Sequence, residues 1–190
     1  MKKDAIYNDS WIFTLLLSTL LILAESVKVY TFQIPKISIN ISYSIILIPI
    51  IYLILNYIIK KYGSKKAISS MCLGAVAVIL FLSIMSFSLN QQFSFKVISG
   101  ELCSYLISSM LNILIYNYLL NNTTLPWPII VINYLCSCAV FHMFYTLIYL
   151  ESVTTLSFWK EYFITILIEF VIILVLSIID KTTRQGRDYK

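Results

Sequence analysis

Four polar side chains recur at helical spacing within one apolar stretch of the chain. Glu101, Tyr105, Ser108 and Asn112 are separated by four, three and four residues, which places them on one face of an α-helix. Such a stripe can line a polar cavity, or it can hold helices together through hydrogen bonds of about 1 kcal/mol each. We favour the cavity, because Glu101 adds a charge that helix packing does not need.

Amide side chains occur in two further apolar stretches. Asn56 follows Pro49 by seven residues, and a proline inside a helix frees a backbone carbonyl for water or a ligand. Asn133 and Ser137 are four residues apart and therefore share a helical face. An amide offers both hydrogen-bond donors and acceptors, which suits the edge of a planar heterocycle. These positions, with the stripe above, are candidate binding residues.

Glu25 and Lys28 form a charged pair near the end of the first apolar stretch. Their spacing of three residues permits an ion pair on one helical face. Two interpretations stay open for the pair. It can contact a bound solute, or Lys28 can extend to the headgroup region of a membrane while Glu25 lies near the same surface.

Glu169 lies near the centre of the last apolar stretch, among Ile, Phe and Val residues. A carboxylate there is costly in an apolar medium, so Glu169 is expected to be protonated, to face water or to pair with a group such as Lys28. The single histidine, His142, lies on the side of its helix opposite to Asn133. It is interpreted as an interhelical hydrogen-bonding residue, with a proton relay as the alternative.

The amino-acid composition of the chain indicates which secondary-structure elements carry these residues. Hydrophobic residues make up 59% of the chain and charged residues only 12%, a balance that the core of a soluble domain of this size could not bury. A membrane-spanning helix needs about 20 apolar residues. The sequence therefore predicts an all-α, polytopic membrane protein with a single six-helix transmembrane domain over residues 1–190. The predicted helices are 11–32, 41–60, 67–88, 98–120, 127–150 and 160–180.

The distribution of Lys and Arg predicts the orientation of these helices. Ten lie in segments that the six-helix arrangement places on one side, and only three lie on the other. Positive charge is retained in the cytoplasm, so both termini are expected there, in a multi-pass protein of the cell inner membrane. The larger group is Lys2, Lys3, Lys60, Lys61, Lys65, Lys66, Lys181, Arg184, Arg187 and Lys190; the smaller group is Lys36, Lys96 and Lys160.

The sequence contains no pattern typical of an enzyme. Cys136 and Cys138 diverge on a helix, and the chain has no glycine-rich phosphate loop. No cofactor and no metal ion are expected. The net charge of +5 is concentrated at helix ends, which indicates membrane orientation and argues against nucleic acid as a partner. The expected partners are the lipid bilayer and a small-molecule substrate, with a homo-oligomer or energising subunits as further possibilities.

The second helix and the residues after it resemble the vitamin-uptake transporter family, which includes the bacterial queuosine-precursor transporter. Pro49 and the pair Tyr62 and Gly63 match the family pattern, whereas Asn56 stands in place of an aspartate and Lys60 in place of a glutamate. The resemblance covers nearly the whole chain in order. The resemblance continues at further positions, some of which carry a different residue type: Lys28 and Glu25, the latter where asparagine is usual, in helix 1; Ser108, Ser109 and Asn112 in helix 4; and Trp127, Asn133 and Ser137 in helix 5.

The resemblance implies six helices and the import of a queuosine precursor, a 7-deazaguanine, across the inner membrane. Asn112 replaces another family aspartate, and Ile132 replaces an arginine, so the site in this chain has fewer charges. Two alternative functions accompany the importer. One is a substrate-binding membrane subunit of an energy-coupling-factor type vitamin transporter, and the other is a non-transporting membrane assembly protein.

Overall fold

A computed structural model of the chain describes residues 9–28, 30–34, 39–89, 95–122, 127–149 and 156–188. Within these ranges the chain forms six helices and one two-stranded antiparallel sheet. The helices are α1 (Ser10–Val27), α2 (Ser44–Tyr62), α3 (Ser64–Leu89), α4 (Phe95–Asn122), α5 (Trp127–Tyr149) and α6 (Leu156–Asp188), and the strands are β1 (Thr31–Ile34) and β2 (Ile39–Ser42).

The first helix is shorter than predicted, because α1 ends at Val27 and not at residue 32. Residues 31–34 instead form β1, which pairs with β2 in the register Phe32 with Ile41. Both strands alternate polar and apolar residues, the period of a half-buried strand. The prediction was wrong here because it followed the apolar content of this segment and not its period.

Helix α2 occupies the centre of the bundle and packs against all five other described helices. Ile51, Leu55 and Ile58 are buried along it. The helix ends at Tyr62 because the next residue, Gly63, caps it: Gly63 adopts a φ of 86°, and its N–H donates to the carbonyl of Ile59 at 2.9 Å. The buried groups on α2 therefore lie close to neighbouring helices.

Helix α6 extends beyond the predicted end at residue 180 and continues to Asp188. The polar composition of residues 182–190 predicts a frayed end, but the chain is helical through Asp188. Lys, Thr, Arg and Gln are compatible with helical backbone, and this segment contains no proline. The loss of apolar residues therefore marks where a helix can leave the membrane and does not mark where the helix ends.

Four of the helices contain segments that are long and apolar enough to cross a membrane. These segments are Ser10–Val27, Ser44–Tyr62, Ser64–Ser88 and Leu102–Asn121, and α5 adds the shorter apolar stretch Val131–Phe144. Large apolar side chains point outward from the bundle, among them Leu80, Ile84, Phe87, Phe163 and Leu167. Long apolar helices with apolar outer faces are the architecture of a multi-pass membrane protein.

Candidate functional site

Three buried asparagines from three helices form a continuous hydrogen-bonded chain, called here the amide chain. Asn112 Nδ2 in α4 donates to Asn56 Oδ1 in α2 at 2.7 Å, and Asn133 Nδ2 in α5 donates to Asn112 Oδ1 at 2.8 Å. The Ser137 hydroxyl donates to the carbonyl of Asn133 at 2.8 Å and lies 3.2 Å from Asn112 Oδ1. Asn112 therefore joins three helices through one side chain.

The amide chain has a hydrogen-bonding group left over at each end. Among the described residues, neither Asn56 Nδ2 nor Asn133 Oδ1 has a hydrogen-bond partner, although both atoms are buried. One end therefore carries an unused donor and the other an unused acceptor. A buried polar atom without a partner costs about 1–3 kcal/mol, so both ends favour any polar group that can reach them.

A second contact between α2 and α4 lies one helical turn from the amide chain. The hydroxyl of Tyr52 donates to Ser108 Oγ at 2.5 Å, and Ser108 in turn donates to the carbonyl of Ser104 at 2.7 Å. Tyr52 precedes Asn56 by four residues, as Ser108 precedes Asn112. The two helices therefore present matching polar faces over consecutive turns.

Of the predicted binding residues, the structure brings together Asn56, Asn112 and Asn133, and it places Ser108 one turn away. Their role in binding a solute stays a prediction. The side chain of Glu101 lies outside the described residues. Tyr52 was missed by the sequence analysis, although its spacing of four residues from Asn56 is the signal that identifies it.

Glu25 and Lys28 lie at the end of α1 and are half-buried. Burial lowers the pKa of the Lys28 ammonium to about 8, and the negative charge of Glu25 acts in the opposite direction. Thr14, which precedes the pair on α1, takes part in helix packing, because its hydroxyl shares a hydrogen bond of 2.8 Å with the hydroxyl of Ser70 in α3. Both interpretations of the charged pair stay predictions.

Glu169 has the polar partner that its position demands. Its side chain is 0% exposed, and Oε1 lies 2.7 Å from Nε2 of His142 in α5. The expectation of a hydrogen-bonded partner is therefore confirmed, and the partner is the histidine. His142 also fits the interhelical role expected for it. Among the described residues, no three His, Cys, Asp or Glu side chains come together as the ligands of a metal ion would.

Comparison with protein-family models, with characterised proteins and with solved structures found no match to this chain.

Proposed function

We propose that the chain is a small-solute importer of the inner membrane, with six membrane-spanning helices and both termini in the cytoplasm. The observation that carries this proposal is the amide chain, which places neutral hydrogen-bonding groups from α2, α4 and α5 in the interior of an apolar bundle. The substrate we propose is a queuosine precursor, a 7-deazaguanine, or a related planar heterocycle.

The chemistry of the amide chain suits a neutral substrate. The unused donor of Asn56 and the unused acceptor of Asn133 lie at opposite ends of the amide chain, where each is available to a separate polar group on the edge of a planar heterocycle. An amide has no net charge, so it can bind such an edge without a counter-ion. The substrate would replace hydrogen bonds that the asparagines now make to one another.

Charge and helix length support the proposed topology. Lys60, Lys61, Lys65 and Lys66 cluster where α2 meets α3, and basic residues favour the cytoplasmic side. Lys61 Nζ lies 5.1 Å from the ring centroid of Tyr62, an arrangement suited to the membrane surface. The 33 residues of α6 span about 50 Å, more than the roughly 30 Å of hydrocarbon, so its basic end projects beyond the bilayer.

One observation favours a second function, that of a non-transporting membrane assembly protein. Four of the six polar side-chain atoms of the three asparagines are hydrogen-bonded to another member of the three, as helix association in a membrane requires. An assembly protein needs these bonds to persist, whereas an importer needs them to exchange with substrate. Transport measurements therefore separate the two functions.

The test is uptake of a labelled queuosine precursor by a host that lacks its own transporter and expresses this chain. We expect uptake with the unmutated protein and a decrease of roughly tenfold for Asn56→Leu or Asn112→Leu, if each lost bond is worth about 1.4 kcal/mol. Asn121→Leu is the matched control, because Asn121 is exposed on the same helix as Asn112. Absence of uptake with the unmutated protein would favour the assembly function.

A further inference from the structure

The contact between His142 and Glu169 is a hydrogen bond between two titratable groups inside the bundle. It joins α5 to α6, and the carboxyl side chain is 0% exposed while the imidazole is 14% exposed. The other carboxyl oxygen, Oε2, is buried, and the thiol of Cys138 is within hydrogen-bonding reach of the carboxyl group. The amide chain does not use either group.

Three further titratable groups face the carboxyl of Glu169. The phenol of Tyr52 approaches from α2, the thiol of Cys138 from α5, and the phenol of Tyr162 from its own helix. Tyr162 donates to the backbone carbonyl of Ala139 at 3.2 Å. These three groups are neutral in their ordinary state, so the carboxyl of Glu169 and the imidazole of His142 together determine the charge of this cluster.

The hydrogen bond between Nε2 and Oε1 contains one proton, whichever atom carries it. With a second proton on the other ring nitrogen, Nδ1, the pair is neutral overall; one proton fewer gives one negative charge, and one proton more gives one positive charge. Either net charge is expensive in an apolar interior. A neutral carboxyl group that donates to a neutral imidazole avoids burying two opposite charges, so we place the proton on Glu169, which then donates to His142.

We propose that His142 and Glu169 form a proton-binding site that holds one exchangeable proton inside the membrane. The proton is bound from water on one side and released to water on the other when the helices separate enough to hydrate the pair, and no other bond changes. That this proton drives import rests on the proposed function, whereas its binding at the site does not.

Tyr52 connects this site to the amide chain. Its phenol faces Glu169, it donates to Ser108, and it lies one helical turn from Asn56 on α2. A change in the helix spacing that hydrates Glu169 would therefore also move the contact between α2 and α4. The two sites are placed so that a proton and a solute can influence each other's binding.

The test is infrared spectroscopy of the full-length protein in liposomes at about pH 7, where ordinary carboxyl groups are ionised. We expect a band of a protonated carboxyl group that shifts in D2O and is lost in Glu169→Gln. Glu161→Gln is the matched control, because Glu161 is an exposed carboxylate on the same helix and its removal should leave the band unchanged. His142→Gln should move the band, because the acceptor of the carboxyl proton changes.

A wild-type spectrum without this band, or a band that persists in Glu169→Gln, would overturn the site. A band that does not shift in D2O would overturn the exchange of the proton. A second measurement tests the coupling: an imposed pH gradient should stimulate solute uptake by the wild type and not by Glu169→Gln. Absence of any solute uptake, with the band present, would contradict the proposed function and leave the proton site standing.

Discussion

The amide of Asn112 donates to the amide of Asn56 at 2.7 Å and so connects α4 to the central helix of the bundle. Asn112 also accepts from Asn133 of α5, and both of its contacts are fully buried. A side chain that serves as donor and acceptor at once holds three helices at fixed separations. Its replacement therefore affects both the stability of the bundle and the geometry of the candidate site.

Asn112→Leu should lower the free energy of unfolding of the detergent-solubilised protein by about 1–3 kcal/mol. The reason is that the substitution leaves Asn56 and Asn133, on two other helices, without their hydrogen bonds to residue 112. The measurement is Tm, with the exposed Asn121→Leu as the control. A double-mutant cycle with Asn56→Leu should show non-additive losses, since both variants remove the same bond. Equal Tm values for Asn112→Leu and Asn121→Leu would contradict the structural role of the amide chain.

The polar faces of α2, α4 and α5 could be predicted because the helical period places Asn56, Asn112 and Asn133 on defined sides of long apolar segments. The pairing of His142 with Glu169 could not, because it depends on the rotation and axial shift of α5 against α6. The helical period determines which residues share a face of one helix, but it does not determine how the faces of two helices align with each other.

Gly74 of α3 marks a close approach to α1. A Cβ atom at this position would lie 2.7 Å from Cδ1 of Leu21 and 3.5 Å from the hydroxyl of Tyr105. Gly74→Ala should therefore lower Tm modestly, because the end of Leu21 can move, and Gly74→Val should lower it more. In the Gly74→Ala background, Leu21→Ala should cost less than it does alone.

The control for Gly74 is Val76→Ile, which also adds carbon to α3 but at an exposed position. Its free energy of unfolding should stay within about 0.5 kcal/mol of that of the wild type, so its Tm should be nearly unchanged. A Gly74→Val protein as stable as the control would mean that α1 and α3 are further apart than described.

Lys28 should titrate at an unusually low pH, because burial lowers its pKa to about 8. The measurement is NMR of the methylated lysines in detergent micelles, with Lys28→Arg to assign the signal. Glu25→Gln removes the negative charge that favours the ammonium form, so the midpoint should fall further. A midpoint near 10.4, the value of an unperturbed lysine, would show that water reaches Lys28 freely.

The proposed topology predicts the location of reporter fusions. Fusions after Gly63 and at the C-terminus should both report the cytoplasm, and a fusion between residues 89 and 95 should report the opposite side. The physical reason is the cluster Lys60, Lys61, Lys65 and Lys66, which membrane insertion retains in the cytoplasm. An external C-terminus would contradict the arrangement of six spans.

Replacing the four lysines of this cluster by glutamine tests whether charge sets the orientation. The variant should give mixed reporter signals after Gly63, because only the other basic segments then oppose inversion. The matched control places glutamine at Lys160, an exposed lysine of the smaller group. Its loss removes positive charge from the external side and should leave the orientation unchanged, since it increases the charge difference between the two sides. Inversion by the control and not by the cluster variant would reverse the assignment of both termini.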